Sequence, residues 1–182
     1  MPGIFARAAL LTIALVAVTS ADAQTRRKRE IQEAAPPVPA ASVDKRDSVV
    51  AAPGPFNGKA YWLALAQCGG AYFKLNLFYT DLAVHARIKP DPRATAEYTR
   101  KLTDAIKTGT IYFNGAERFL MTDRGIERVD AVLTYDPQSR ASEDRLKTVE
   151  AAEAAAQACP ALYQTCRATY PKACGEQLPP TS

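Results

Sequence analysis

A regular series of apolar residues between Tyr61 and Ala86 is the strongest constraint on the fold of this chain. The intervals between its successive members alternate between four and three residues throughout. This spacing places every member on one face of an α-helix. Because no proline interrupts residues 57–89, the sequence predicts one long helix with a broad buried stripe. The members of the series are Tyr61, Leu65, Cys68, Tyr72, Leu75, Tyr79, Leu82 and Ala86.

Two consecutive glycines, Gly69 and Gly70, interrupt this helix. Together they cost about 2 kcal/mol of helix propensity, so a structural reason for them is expected. The apolar register continues unshifted on both sides of the pair. We therefore expect another helix to pack closely against the glycines, rather than a kink.

The next residues predict two more helical regions. Pro92 is expected to begin a second helix, with Asp91 as its N-cap and Gly109 as its end. Residues 110–136 read as a third helical region, which Pro137 closes. A brief extended stretch at the start of that region is the alternative.

The carboxyl-terminal part predicts two shorter helices. Ser139 or Ser142 is expected to cap a fourth helix that runs to about Ala158. Pro160 then begins a fifth helix, which Pro171 ends. The fold class is therefore all-α, a bundle of four to five helices.

The amino terminus has the features of an export signal. Arg7 provides a basic start, and the following uncharged run, residues 8–21, is 14 residues long. A membrane-spanning helix needs about 20 apolar residues. Residues 21–23 read Ala-Asp-Ala, a small-x-small cleavage motif. We therefore predict that residues 1–23 are a signal peptide cleaved after Ala23, and that the protein is periplasmic or secreted.

A basic cluster directly follows the predicted cleavage site. It consists of Arg26, Arg27, Lys28 and Arg29. Basic residues there resist translocation, so an uncleaved amino-terminal membrane anchor is the alternative. The cluster also offers a contact with an anionic membrane surface.

Residues 24–56 are rich in proline and alanine and contain no aromatic residue before Phe56. Such a segment buries too little apolar surface to order itself, so we predict a disordered linker. A helical domain is then expected over residues 57–176 and a disordered tail over residues 177–182. The chain from residue 57 onward carries 16 basic and 14 acidic side chains, which is too even a balance to indicate nucleic-acid binding.

The chain has four cysteines, an even number that predicts two disulfides in an exported protein. No two of these cysteines are separated by two residues, so the sequence has neither a Cys-x-x-Cys redox motif nor a zinc ribbon. We expect Cys68 to pair with Cys159 and Cys166 with Cys174, and the first bridge to contribute about 4–5 kcal/mol of stability. The sequence also allows other pairings, of which Cys68–Cys166 with Cys159–Cys174 is the next expected.

Motifs for catalysis, cofactors or metals are lacking. The one histidine, His85, lies near the end of the first helix, where an imidazole interacts favourably with the helix dipole. No phosphate loop, dinucleotide fingerprint or nucleophile elbow occurs, and no cofactor or metal site is predicted. A wall-directed hydrolase similar to lytic transglycosylases would have to use a carboxylate such as Glu117 or Glu127.

Aromatic side chains crowd more than one face of the first helix. Most of them are expected in the core, and the remainder offer a binding surface. The sequence thus favours a non-catalytic binding or scaffolding protein whose partner is an envelope protein or a cell-wall component. A helical homodimer with a structural role is another alternative. The candidate binding residues are Trp62, Phe73, Phe78 and Tyr79.

Overall fold

The first helix begins where the chain pairs briefly with itself. Val49 and Ala60 form an isolated antiparallel bridge, and the amide of Tyr61 donates to the carbonyl of Ser48 at 2.8 Å. This bond satisfies a backbone donor that a helix start would otherwise leave open. The computed structural model describes residues 43–178 and contains five helices there. They are α1 (Tyr61–Ile88), α2 (Pro92–Arg124), α3 (Arg128–Glu143), α4 (Val149–Gln157) and α5 (Cys159–Thr169).

The predicted all-α fold is confirmed, and α1 matches the long helix expected from the apolar series. The short connection from Ile88 to Pro92 turns the chain back, so α1 and α2 pack antiparallel. Asp91 caps α2 as expected, since its side chain accepts a hydrogen bond from the Ala94 amide at 3.0 Å. None of the described helices is both long and apolar enough to cross a membrane.

The glycine pair of α1 lies at close helix contacts, as predicted. A methyl group added at Gly69 would overlap the ring of Phe113 on α2. One added at Gly70 would lie 2.8 Å from the carbonyl oxygen of Ser139 on α3. The two glycines therefore let α2 and α3 approach α1 from different sides.

The predicted end of the second helix at Gly109 is wrong. α2 continues through Gly109 to Arg124, and the residues after Gly109 are helical rather than extended. Gly109 serves helix packing, because a methyl group there would lie 2.6 Å from the Phe73 ring. The helix ends instead at Gly125, whose φ of +66° is the left-handed conformation that glycine adopts without strain.

The predicted helix boundary at Pro137 is also wrong. Pro137 lies inside α3, and Ser139 is a buried residue of the same helix rather than the cap of the next one. Packing of Ser139 against Gly70 holds this part of α3 on α1, which outweighs the local preference of proline. The cap of α4 is Thr148, which accepts from the Ala151 amide at 3.2 Å.

Part of the predicted linker is packed on the helices. Within the predicted disordered stretch 24–56, residues 43–56 are described, and Val50 is only 2% exposed. Asp47 receives two hydrogen bonds of 2.8 Å from the guanidinium of Arg124 and one of 3.2 Å from the Trp62 indole. These polar contacts order a segment whose composition alone predicts disorder. The signal, its cleavage site, the basic cluster and the rest of the linker lie outside the described residues.

The core consists of two clusters along α1. One surrounds its first half and includes Trp62, Tyr112 and both disulfides, whereas the other surrounds Leu75 and Tyr79. Helical periodicity over residues 110–136 would place Val129 and Leu133 on the inner face, but both are 68% exposed. The helix break at Gly125 rotates α3 relative to the register continued from α2.

The cysteines pair as expected. Cys68 on α1 is bonded to Cys159 at the start of α5, and Cys166 on α5 is bonded to Cys174 in the carboxyl-terminal segment. All four are buried. The second bridge holds the segment after α5 on the bundle, so Leu178, predicted to belong to a disordered tail, packs against the core.

Candidate functional site

A groove of about 720 Å³ lies between α1, α2, α4 and α5. The carboxyl-terminal segment closes one side through Gln177 and Leu178. The volume lies within the range of about 300–1,000 Å³ that is usual for ligand sites. We call this cavity the aromatic groove, because three tyrosines line it. They are Tyr72, Tyr79 and Tyr163.

Small side chains create the space of the aromatic groove. Ala105 on α2 and Ala156 on α4 face it, and both are buried. Leu75 and Tyr72 on α1 complete the apolar lining together with Pro160 at the start of α5. Alanines at these positions keep the helices close while leaving room between their neighbours.

A second layer of aromatic rings supports the groove. Tyr112 on α2 stacks on Tyr72 with ring centroids 5.5 Å apart and meets Tyr163 edge-on at 5.3 Å. Such pairs contribute about 0.5–1.5 kcal/mol each beyond their buried area. The Tyr112 hydroxyl is buried without a hydrogen-bond partner among the described residues. Burial raises the pKa of all three hydroxyls, which are therefore neutral at physiological pH.

One end of the groove carries acidic and basic side chains. The Tyr79 hydroxyl donates to Glu153 Oε1 on α4 at 2.7 Å, and burial together with this bond raises the pKa of Tyr79. Lys101 Nζ lies 5.5 Å from the centroid of the Tyr79 ring and 3.1 Å from Glu97. Asp104, also on the groove wall, is 3.6 Å from the guanidinium of Arg100.

The other end of the groove carries one cation. Arg167 lies four residues after Tyr163 on α5, so the two side chains share a helix face. The Arg167 guanidinium makes no hydrogen bond or ion pair with another described residue. Nearby, Glu176 pairs with Arg118 and fixes the segment that contributes the side wall.

Neutral amides form the rim. Gln157 on α4, Gln164 on α5 and Gln177 in the carboxyl-terminal segment are exposed residues that line the groove. Each side chain offers hydrogen-bond donors and an acceptor without a charge. The rim can therefore bind polar groups of many orientations.

The structure brings only one of the four predicted binding residues to this groove. Tyr79 lines it, whereas Trp62 is 2% exposed and belongs to the core. Phe73 packs on Gly109 and lies 5.1 Å from the Phe113 ring. Phe78 is half-buried, with Lys74 over its ring at 5.3 Å. The apolar stripe on α1 identified Tyr72 and Leu75 only as core residues.

The other candidate residues lie outside the groove. His85 lies in the last turn of α1, as expected, and its Nδ1 is 2.8 Å from the Asp81 carbonyl. Glu117 is paired with Arg128 at 2.9 Å, and Glu127 is an exposed residue just before α3. Neither carboxylate lines the aromatic groove.

Comparison with known proteins adds no assignment. In the described part of the chain, no group of three or more His, Cys, Asp or Glu side chains is arranged to hold a metal ion. No protein-family model, no curated protein and no solved structure matches the chain.

Proposed function

We propose that this is an exported, non-catalytic binding protein whose ligand occupies the aromatic groove. The observation that carries the proposal is the groove itself, an aromatic-lined cavity of about 720 Å³ with a polar rim. Ligand sites combine these features, namely a concave apolar lining with a few polar groups that orient the ligand.

Two separate features support this compartment. Both disulfides indicate an oxidising environment outside the cytosol. The predicted signal in residues 1–23 supports export to the periplasm, with cleavage after Ala23. The partner would then be an envelope protein or a cell-wall component, and the basic cluster at residues 26–29 would allow contact with the membrane surface.

The charges of the groove favour binding over catalysis. Glu153 accepts a hydrogen bond from the Tyr79 hydroxyl, and Lys101 forms an ion pair with Glu97. The Tyr79 hydroxyl lies beside a carboxylate base, but the side chain is only 7% exposed and burial raises its pKa, which opposes the deprotonation that a nucleophile needs. These groups instead fix the orientation of ring faces and charges toward a ligand.

The test is a screen by protein-observed NMR with the soluble fragments of a cell-wall digest and a pool of short peptides. A ligand of the groove should shift the amide signals of Tyr72, Ala105, Glu153 and Gln164. The variant Gln164→Trp places a bulky side chain at the rim and should abolish the shifts. The control Lys147→Trp changes an exposed site away from the groove and should preserve them. The proposal would be refuted if the signal shifts spared these four residues. It would also be refuted if no probe caused shifts at millimolar concentration.

A homodimer remains the second candidate because of one observation on α1. Leu77, Val84 and Ile88 are 53, 48 and 72% exposed and lie on one helical face. α3 covers the earlier part of that face at Gly70 but ends at Glu143. Sedimentation equilibrium should then give twice the monomer mass, and Val84→Glu should restore the monomer. A monomer at all concentrations would exclude this candidate.

A further inference from the structure

We infer that the ligand of the aromatic groove is a short, extended peptide of at least three residues with both termini free. Its amino group lies at the Glu153 end and its carboxylate at Arg167. This inference rests on the proposed function and specifies its ligand class.

The length follows from the positions of the two ends along α1. Tyr79 marks the Glu153 end through its hydrogen bond, and Tyr72 marks the other end through the ring contacts that lead to Tyr163. Seven residues separate these tyrosines, which is about 10 Å along a helix axis. An extended peptide spans about 3.3–3.6 Å per residue, so at least three residues are needed to cover this part of the groove, and Arg167 lies beyond it.

The polarity follows from the charges at the two ends. At one end, the acidic groups Glu97, Asp104 and Glu153 outnumber the basic groups Arg100 and Lys101. Only one oxygen of Glu153 is used by Tyr79. A carboxylate accepts up to about four hydrogen bonds, so Glu153 keeps capacity for an ammonium group. At the other end, the Arg167 fork is unengaged and matches the geometry of a carboxylate.

The middle of the groove suits a peptide backbone. Its lining of Tyr72, Leu75 and Pro160 accommodates apolar side chains. The rim amides of Gln157 and Gln164 each offer a donor and an acceptor, as a peptide group does. A neutral glycan would satisfy the rim and the rings but would leave the opposite charges of the two ends unused.

The experiment measures how the exported, disulfide-bonded protein binds defined probes by isothermal titration calorimetry. The probes are the tetrapeptide Ala-Leu-Tyr-Ala with free termini, its N-acetyl form, its C-terminal amide, and chitotetraose. We expect each capped form to bind about tenfold more weakly than the free peptide, because each loses one charge-assisted contact. Chitotetraose should bind more weakly than any of the peptides.

Two variants assign the ends. Arg167→Gln should abolish the preference for the free carboxylate, while the acetylated peptide should still bind more weakly. Glu153→Gln should abolish the preference for the free amino group, while the amidated peptide should still bind more weakly. Arg145→Gln and Glu150→Gln change the same residue types outside the groove and should retain both preferences. Circular dichroism checks that each variant keeps its helical content.

The outcomes separate this inference from the proposed function. If binding is lost in Gln164→Trp but capped and free peptides bind equally, or if chitotetraose binds best, the function stands and the peptide assignment fails. If no tetrapeptide binds while other probes shift the groove amides, the same conclusion applies. If peptides bind and Gln164→Trp leaves their affinity unchanged, both proposals fail.

Discussion

Asp47 shows how one buried carboxylate ties the amino-terminal segment to the helices. It is 7% exposed and accepts hydrogen bonds from Arg124, from the Trp62 indole and from the Asp44 amide. Burial alone would raise the pKa of Asp47, but these hydrogen bonds outweigh it and hold the pKa below its usual value. The ionised form therefore stabilises the folded state.

Asp47→Asn should lower the free energy of unfolding by about 3 kcal/mol at pH 7, because Arg124 loses its anionic partner in a mostly buried site. The loss should be constant above about pH 5 and shrink as the pH falls through the lowered pKa, since the wild-type carboxylate then becomes protonated. Urea unfolding between pH 7 and pH 2 measures this. Asp136→Asn breaks an exposed pair with Arg140 and should cost under about 0.5 kcal/mol. Equal losses in both variants would contradict this account.

Tyr112→Phe should leave the free energy of unfolding unchanged or raise it by up to about 1 kcal/mol, because the hydroxyl it removes has no partner among the described residues. Tyr79→Phe is the matched control and should lower stability by about 1 kcal/mol, since it removes the bond to Glu153. Chemical denaturation of both variants tests the pair. A larger loss for Tyr112→Phe than for Tyr79→Phe would show that the hydroxyl has a partner.

At the scale of elements, glycines lie where neighbouring helices approach each other most closely. Gly69, Gly70 and Gly109 lie within helices and admit a ring or a backbone atom of a neighbour, whereas Gly125 ends α2 in a left-handed conformation. Both roles use the absence of a side chain, and sequence alone does not distinguish them. The apolar register continues across Gly69, so the packing role there is predicted correctly. It is less regular around Gly109, where a helix end is predicted instead of packing.

Gly69→Ala should lower the free energy of unfolding by about 1–2 kcal/mol, because overpacking against Phe113 exceeds the gain of about 1 kcal/mol in helix propensity. Gly115→Ala is the control. Its methyl group would lie 3.1 Å from the flexible end of Leu65, so a change within about 0.5 kcal/mol is expected. In the Phe113→Leu background, Gly69→Ala should cost at most half as much stability in thermal unfolding, and an undiminished cost would place the strain elsewhere.

At the scale of the whole molecule, the two disulfides constrain chain segments of very different length. Cys68–Cys159 joins residues 91 apart, whereas Cys166–Cys174 joins residues 8 apart. The fold class and this pairing could be predicted from helical periodicity and cysteine positions. The groove could not, because Tyr79, Ala105, Glu153 and Arg167 come from four helices and share no spacing in the sequence.

Replacing both cysteines of the long bridge by alanine should lower the free energy of unfolding by about 4–5 kcal/mol, and replacing those of the short bridge by about 2–3 kcal/mol. The difference arises because the longer loop restricts the unfolded chain more. Guanidinium unfolding of both double variants measures it. A greater loss for the short bridge would mean that anchoring the carboxyl-terminal segment outweighs loop length.

The position of Leu178 at the groove wall also bears on how the protein should be handled in the laboratory. A fusion partner or affinity tag joined directly after Leu178 would therefore crowd the cavity entrance. Val43, by contrast, enters the described fold near Asp47 and Arg124, at the opposite end of α2 from Lys101. Labels intended for immobilisation or imaging therefore belong between the predicted cleavage site after Ala23 and Val43.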